Sequence, residues 1–140
     1  MIRKKIGMLL VAAAIALSIP LTGTTPAYAS VGCYASTCNG KDPQGMGCYA
    51  DAYTGSQVTA ADGRVLQLRY SPACGAAWGR LLSSYVGDYV SVQSTTGTIY
   101  SAYVSGTSTW TPMVDDHGTL TARAYHATLC DCPDAWTGWF

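Results

Sequence analysis

Six cysteines, Cys33, Cys38, Cys48, Cys74, Cys130 and Cys132, most constrain what this chain can become. An even set in a small exported domain reads as three disulfides, and six thiols allow fifteen pairings. Cys130 and Cys132 flank a single residue. A bridge between them would close a strained small ring, so both are expected to bond elsewhere. Each bridge contributes about 2–4 kcal/mol, mainly by restricting the unfolded chain. That is a large share of the roughly 5–15 kcal/mol that holds a domain of this size together. No Cys-x-x-Cys pair is present, so the cysteines do not read as metal ligands. No metal and no other cofactor is expected.

The compartment follows from residues 1–29. "IRKK" is a short positive region, "IGMLLVAAAIALSI" an apolar run broken by Pro20, and "AYA" a small-residue cleavage site. This pattern predicts a signal peptide cut after Ala29 and a secreted product, extracellular or at the cell surface. The apolar run is about fourteen residues, short of the roughly twenty that span a bilayer, so no membrane span is expected after cleavage. Residues 30–140 then form one domain. Its basic residues are Lys41, Arg64, Arg69, Arg80 and Arg123 against eight Asp and no Glu, a net charge of −3. Phosphate neutralisation drives nucleic-acid binding, and a chain of this sign has no electrostatic case for that ligand.

Residues 30–48, "SVGCYASTCNGKDPQGMGC", hold turn formers and cysteines but no apolar periodicity. They predict a loop-built, disulfide-tied segment. Beyond them the pattern is strand-like. "RVLQLRY" places Leu66, Leu68 and Tyr70 on one face and Val65, Gln67 and Arg69 on the other, and Ser71-Pro72 ends it. "DYVSVQS" and "TIYSAYVS" around "TTG" predict a hairpin. "TLTARAYHATL" alternates Leu120, Ala122 and Ala124 with Thr121, Arg123 and Tyr125. "ACGAAWGRLLSSY" has the Ala and Leu content of one short helix, weakened by two Gly. The expected fold is mainly β: a small antiparallel barrel or sandwich with a Cys-rich loop segment and one short helix.

No catalytic constellation stands out. The even cysteine count leaves no spare thiolate. His117 and His126 lack a Gly-x-Ser-x-Gly elbow, and read as a solvated turn residue and a hydrogen-bonded strand residue. The pairs Asp115–Asp116 and Asp131–Asp134 are neighbours in sequence only, and adjacent strand residues point to opposite faces. Aromatic residues are the stronger signal. Trp78, Trp110, Trp136 and Trp139 accompany ten Tyr and a single Phe. On an outer sheet face such rings stack on sugars or clasp a protein; inside they fill a core. Trp78 is expected in the core. "WTGWF", residues 136–140, fits either a closing strand or an exposed docking end.

Three blocks, "CYASTCNGKDPQGMGCYADAYT", "LQLRYSPACGAAWGR" and "WTPMVDDHGTLTARA", together resemble the YjfA-like family of secreted bacterial domains of unknown function. The similarity runs over roughly residues 33–124. Cys33, Cys38, Gly40, Asp42, Pro43, Cys48, Asp51, Arg69, Tyr70, Cys74, Trp78 and Arg80 fall on its motifs. Relatives often carry a Cys where Tyr125 stands here, whereas this chain has Cys130 and Cys132. The resemblance implies no reaction and no cofactor.

These readings point to a non-catalytic, disulfide-stapled monomer that binds an extracellular protein or a cell-wall glycan. A small nuclease-like hydrolase using Arg69, Arg80 and a His is the rival. An inhibitor with "NGKDPQGMG" as bait is the third reading. Asp42, Asp51, Arg69, Tyr70, Trp78 and Arg80 are the candidate site residues, and Arg69 and Arg80 are expected to meet Asp42 or Asp51.

Overall fold

The computed structural model describes residues 30–140; the expected signal peptide at 1–29 lies outside the described residues. Among the described residues nine strands form two antiparallel sheets that do not close into a barrel. The first holds β1 (Tyr53–Thr59), β2 (Val65–Ser71), β3 (Ala76–Leu82), β6 (Ser108–Trp110) and β7 (Val114–Asp115), the last two both pairing with β3. The second runs in the order β5 (Ile99–Tyr103), β4 (Tyr89–Ser94), β8 (Ala122–Ala127) and β9 (Ala135–Trp136).

Alternation sets the faces. On β2, Leu66 and Leu68 point inward, and on β4 Val90 and Val92 do the same. With Leu81, Val104, Ala122 and Ala124 they form the core between the sheets. The sheets come closest at Gly79, where a Cβ would lie 3.0 Å from the Ser91 carbonyl oxygen and 3.4 Å from the Ala124 methyl. Any larger residue there would force the layers apart.

The expected short helix is not there. Ala76–Leu82 is β3, the central strand of the first sheet, paired with β2 along its full length. Its Ala-rich composition misleads because both of its faces are covered. Ala77, Gly79 and Leu81 face the second sheet, while Ala76 and Trp78 face a second core. A strand buried on both faces shows no alternation and reads like a helix segment.

That second core belongs to the Cys-rich segment. It contains two 3-10 turns, Ala35–Cys38 and Cys48–Asp51. Their cysteines pack with Trp78 and Met113 on the outer face of the first sheet. Cys33 bonds Cys38 and Cys48 bonds Cys74. The second bridge fastens the segment to the turn between β2 and β3. Hydrogen bonds from Gly40 N to Met113 O and from Met113 N to Lys41 O, each 2.9 Å, fasten its other side. The molecule is therefore three layers deep here: cap, first sheet, second sheet. Cys130 and Cys132 lie side by side in the loop between β8 and β9, their Cα atoms 5.2 Å apart.

The end of the sandwich is closed by charge. Arg64, in the β1–β2 turn, donates from Nε and Nη2 to Asp88 at 2.8 and 3.2 Å. Burial opposes the charge on Asp88, but the Arg64 hydrogen bonds and the Tyr85 amide outweigh it and hold its carboxyl below the ordinary range. His126, wholly buried on β8, contacts Asp62 Oδ2 through Nε2 at 3.0 Å and the Tyr89 carbonyl through Nδ1 at 2.8 Å. Asp62 in the first sheet's hairpin thus grips β8 in the second.

Candidate functional site

The outward positions of the second sheet carry a continuous aromatic row. Tyr103 on β5 stands opposite Tyr89 on β4, and Tyr125 on β8 opposite Trp136 on β9. Ring centroids are 5.1 Å apart for Tyr103–Tyr89, 6.5 Å for Tyr89–Tyr125 and 4.4 Å for Tyr125–Trp136. The four rings cross all four strands. Strand alternation produces this: the residues between them, Val90, Ala102, Ala124 and Ala135, point into the core.

The row is held in place. Arg123, two residues before Tyr125 on the same face, is clamped between Trp136 and Trp139, with its guanidinium carbon 4.0 and 4.6 Å from the ring centroids. The same guanidinium donates from Nε and Nη2 to Gln93 Oε1 at 3.2 and 3.1 Å. The Tyr125 hydroxyl donates to Asp134 Oδ2 at 2.6 Å, which pushes its pKa up to about 12. Tyr89 and Ser101 share a 2.7 Å hydrogen bond. Tyr103 is nevertheless 73% exposed, Trp139 46% and Trp136 44%. These fixed and partly open rings, inclined 44–75° to their neighbours and interleaved with Ser101, Gln93 and Arg123, offer an apolar surface edged by hydrogen-bonding groups.

The tail over 136–140 combines both readings its sequence allowed. Trp136 belongs to β9, and Phe140 exchanges backbone hydrogen bonds of 3.0 Å with Ala122. The Phe140 ring sits on Gly55 and against Tyr53 and Tyr70, joining the two sheets. The Trp136 and Trp139 side chains face out.

The residues singled out from the sequence lie elsewhere, around the cap. Trp78 is fully buried in the second core, as expected. Tyr70 is half-buried; burial raises its phenol, and the nearby Asp116 adds to the shift. Asp51 accepts from Ser71 Oγ at 2.5 Å and Ala73 N at 2.7 Å, bracing the turn that carries Cys74. Asp42 accepts from Gly45 N at 2.6 Å and from the Trp110 indole at 2.8 Å. Neither carboxylate meets an arginine. Arg69 donates instead to Thr54 Oγ1 at 2.7 Å and to the Ala52 carbonyl at 2.9 Å. The expected pairing with Asp42 or Asp51 is thus corrected: both acids are occupied by backbone amides, a hydroxyl and an indole.

The histidines do not join the arginines. His126 points into the sandwich toward Asp62, whereas Arg69 and Arg80 lie on the outer face of the first sheet. His117 stacks edge-on against Tyr34 at 5.0 Å, beside Gly75. The bait segment is tied down at Gly40, Lys41 and Asp42, and Pro43 is buried. The sulfurs of Cys33, Cys38, Cys48 and Cys74 lie within 4.8 Å of one another, but as two disulfides they present no thiolate to a metal.

Sequence reasoning missed the aromatic row and the Arg64–Asp88 and Asp62–His126 contacts. The first was within reach, because Tyr125 was already placed opposite the inward Ala122 and Ala124. The others join residues 24 and 64 positions apart, with no local pattern to mark them.

A family model for a protein of unknown function, DUF2690, matches residues 36–125. The chain belongs to this family. The match takes in the cap from Ser36 on, both sheets' central strands and Tyr89, Tyr103 and Tyr125 of the row; Cys33, Trp136 and Trp139 lie outside it. No curated protein and no solved structure matches the chain.

Proposed function

We propose that this DUF2690 domain is a secreted, non-catalytic monomer that binds extended glycan chains of the cell surface on the outer face of its second sheet. The YjfA-like motifs at Cys33–Met113 mark the branch of the family to which we assign it. The observation that carries the reading is the Tyr103–Tyr89–Tyr125–Trp136 row. Sugar rings present flat C–H faces that stack on aromatic rings, and their hydroxyls pair with polar groups at the ring edges. Successive rings spaced at 4.4 to 6.5 Å give an extended polymer several contacts in line. Clamping by Arg123 and Asp134 lowers the ordering cost of binding.

Co-sedimentation with purified, insoluble cell-wall polysaccharide tests this. The protein should pellet with the polymer. Trp136→Ala and Tyr125→Ala should each weaken binding about tenfold or more, the size of a central aromatic contact, with an unchanged circular dichroism spectrum. Retention by a co-secreted protein and not by any glycan would assign the face to a protein partner and overturn the glycan reading.

A further inference from the structure

Arg69 and Arg80 sit diagonally on adjacent strands of the first sheet, where Arg69 pairs with Trp78 and Gln67 with Arg80. They share its outer face, beside the cap. Burial lowers the Arg69 guanidinium below its ordinary value, and the charge of Arg80 lowers it further, so the two cations feel each other. Among the described residues neither has a carboxylate within ion-pair distance; the ion pairs there are Arg64 with Asp62 and Asp88, and His126 with Asp62. Arg69 Nε and Arg80 Nε are both shielded from solvent and without a hydrogen-bond partner, as is the Gln67 oxygen next to them. Arg69 at least anchors Thr54 and Ala52 through its other nitrogens. The Arg80 side chain makes no hydrogen bond among the described residues.

Two half-buried like charges without a counter-ion destabilise a fold, and Asp42 and Asp51 near the cap are committed to other donors. Guanidinium forks match the geometry of a two-oxygen anion. We infer that Arg69 and Arg80 form an oxyanion site, Arg69 fixed by its own hydrogen bonds and Arg80 with no side-chain hydrogen bond to give up on binding. The ligand class is a phosphate or carboxylate group carried on an extracellular polymer or metabolite. The site lies on the opposite side of the sandwich from the aromatic row and does not depend on it.

The test is a titration of the protein with inorganic phosphate, and separately with acetate, following the arginine Nε–H resonances by NMR. The Arg69 and Arg80 signals should shift and saturate, while Arg64, already paired, and Arg123, clamped between indoles, should not. Arg80→Gln should weaken the anion at least tenfold and leave the melting temperature unchanged or raised, because no hydrogen bond is lost and a repulsion is removed. Saturation by either anion supports the site, and the tighter one names the group. Equal drift of all arginine signals, no saturation with either anion, or unaltered binding in Arg80→Gln overturns it. Arg69→Lys keeps the charge while losing the fork, so weakened binding by that variant separates geometry from net charge. Glycan co-sedimentation by Arg80→Gln should be unaffected, which keeps this test independent of the aromatic face.

Discussion

The two outer faces of the sandwich are built from the same residue types and put to opposite uses. On the first sheet Trp78 is roofed by the Cys-rich cap and loses all contact with solvent. On the second sheet Trp136 and Tyr103 have no roof among the described residues. A cap only 19 residues long buries this face with covalent help: the Cys48–Cys74 bridge ties it to the β2–β3 turn, and Cys33–Cys38 braces it internally. The open face has no such covering, and its rings are ordered instead by one arginine and side-chain hydrogen bonds. Aromatic content by itself therefore says little about role; what lies over the ring decides it.

The contrast makes graded predictions. Trp78→Ala should cost about 3–5 kcal/mol, as for a buried aromatic that leaves a cavity, whereas Trp136→Ala should cost less than about 1 kcal/mol. Urea denaturation of the two variants measures both, and equal losses would mean the second face is as much core as the first. Removing the Cys48–Cys74 bridge with a double Cys→Ala change should cost about 3 kcal/mol, and removing Cys33–Cys38 about 2, because the loops closed span 26 and 5 residues. Both should loosen the cap, read as faster amide exchange at Trp78, and leave Tyr89–Tyr125 exchange unchanged.

A smaller effect comes from Asp116, at the margin of the cap. Burial, with the neighbouring Asp115 adding to it, raises its carboxyl to about 7, and one oxygen has no partner among the described residues. A carboxyl whose folded pKa is raised binds its proton more tightly when folded. Its contribution is complete below the ordinary carboxylate pKa and is lost as pH climbs through about 7. Wild type should therefore lose about 1–2 kcal/mol relative to Asp116→Asn between pH 4 and pH 8, a linkage reduced by solvent screening. Melting curves of both proteins across that range, parallel rather than diverging, would show that the carboxyl ionises without strain.

Much of the second sheet was legible in the chain. Alternation at Val90–Val92, Tyr100–Val104 and Ala122–Ala124 placed its strands and faces, because one side meets a core and the other meets water. The first sheet was harder to read. β3 has no wet side, so its sequence carries no period, and its Ala and Leu content suggested a helix instead. Arg69 was correctly placed on the outer face of β2, but its partners were not. Charge complementarity pointed to Asp42 and Asp51, while local turn geometry had already engaged both with nearer donors.

The Phe140 ring on Gly55 has a kinetic meaning as well as a structural one. A Cβ at position 55 would lie 2.5 Å from that ring, so the socket exists only because glycine is there. Nearby, Gly138 N reaches Ser56 Oγ across 82 residues of chain, one of the longest loops the fold must close. Hairpins such as β4–β5 can form early from neighbouring residues. Loop-closure entropy predicts that the clasp between the sheets, which needs the first strand and the last aromatic residue to meet, is among the late contacts to form.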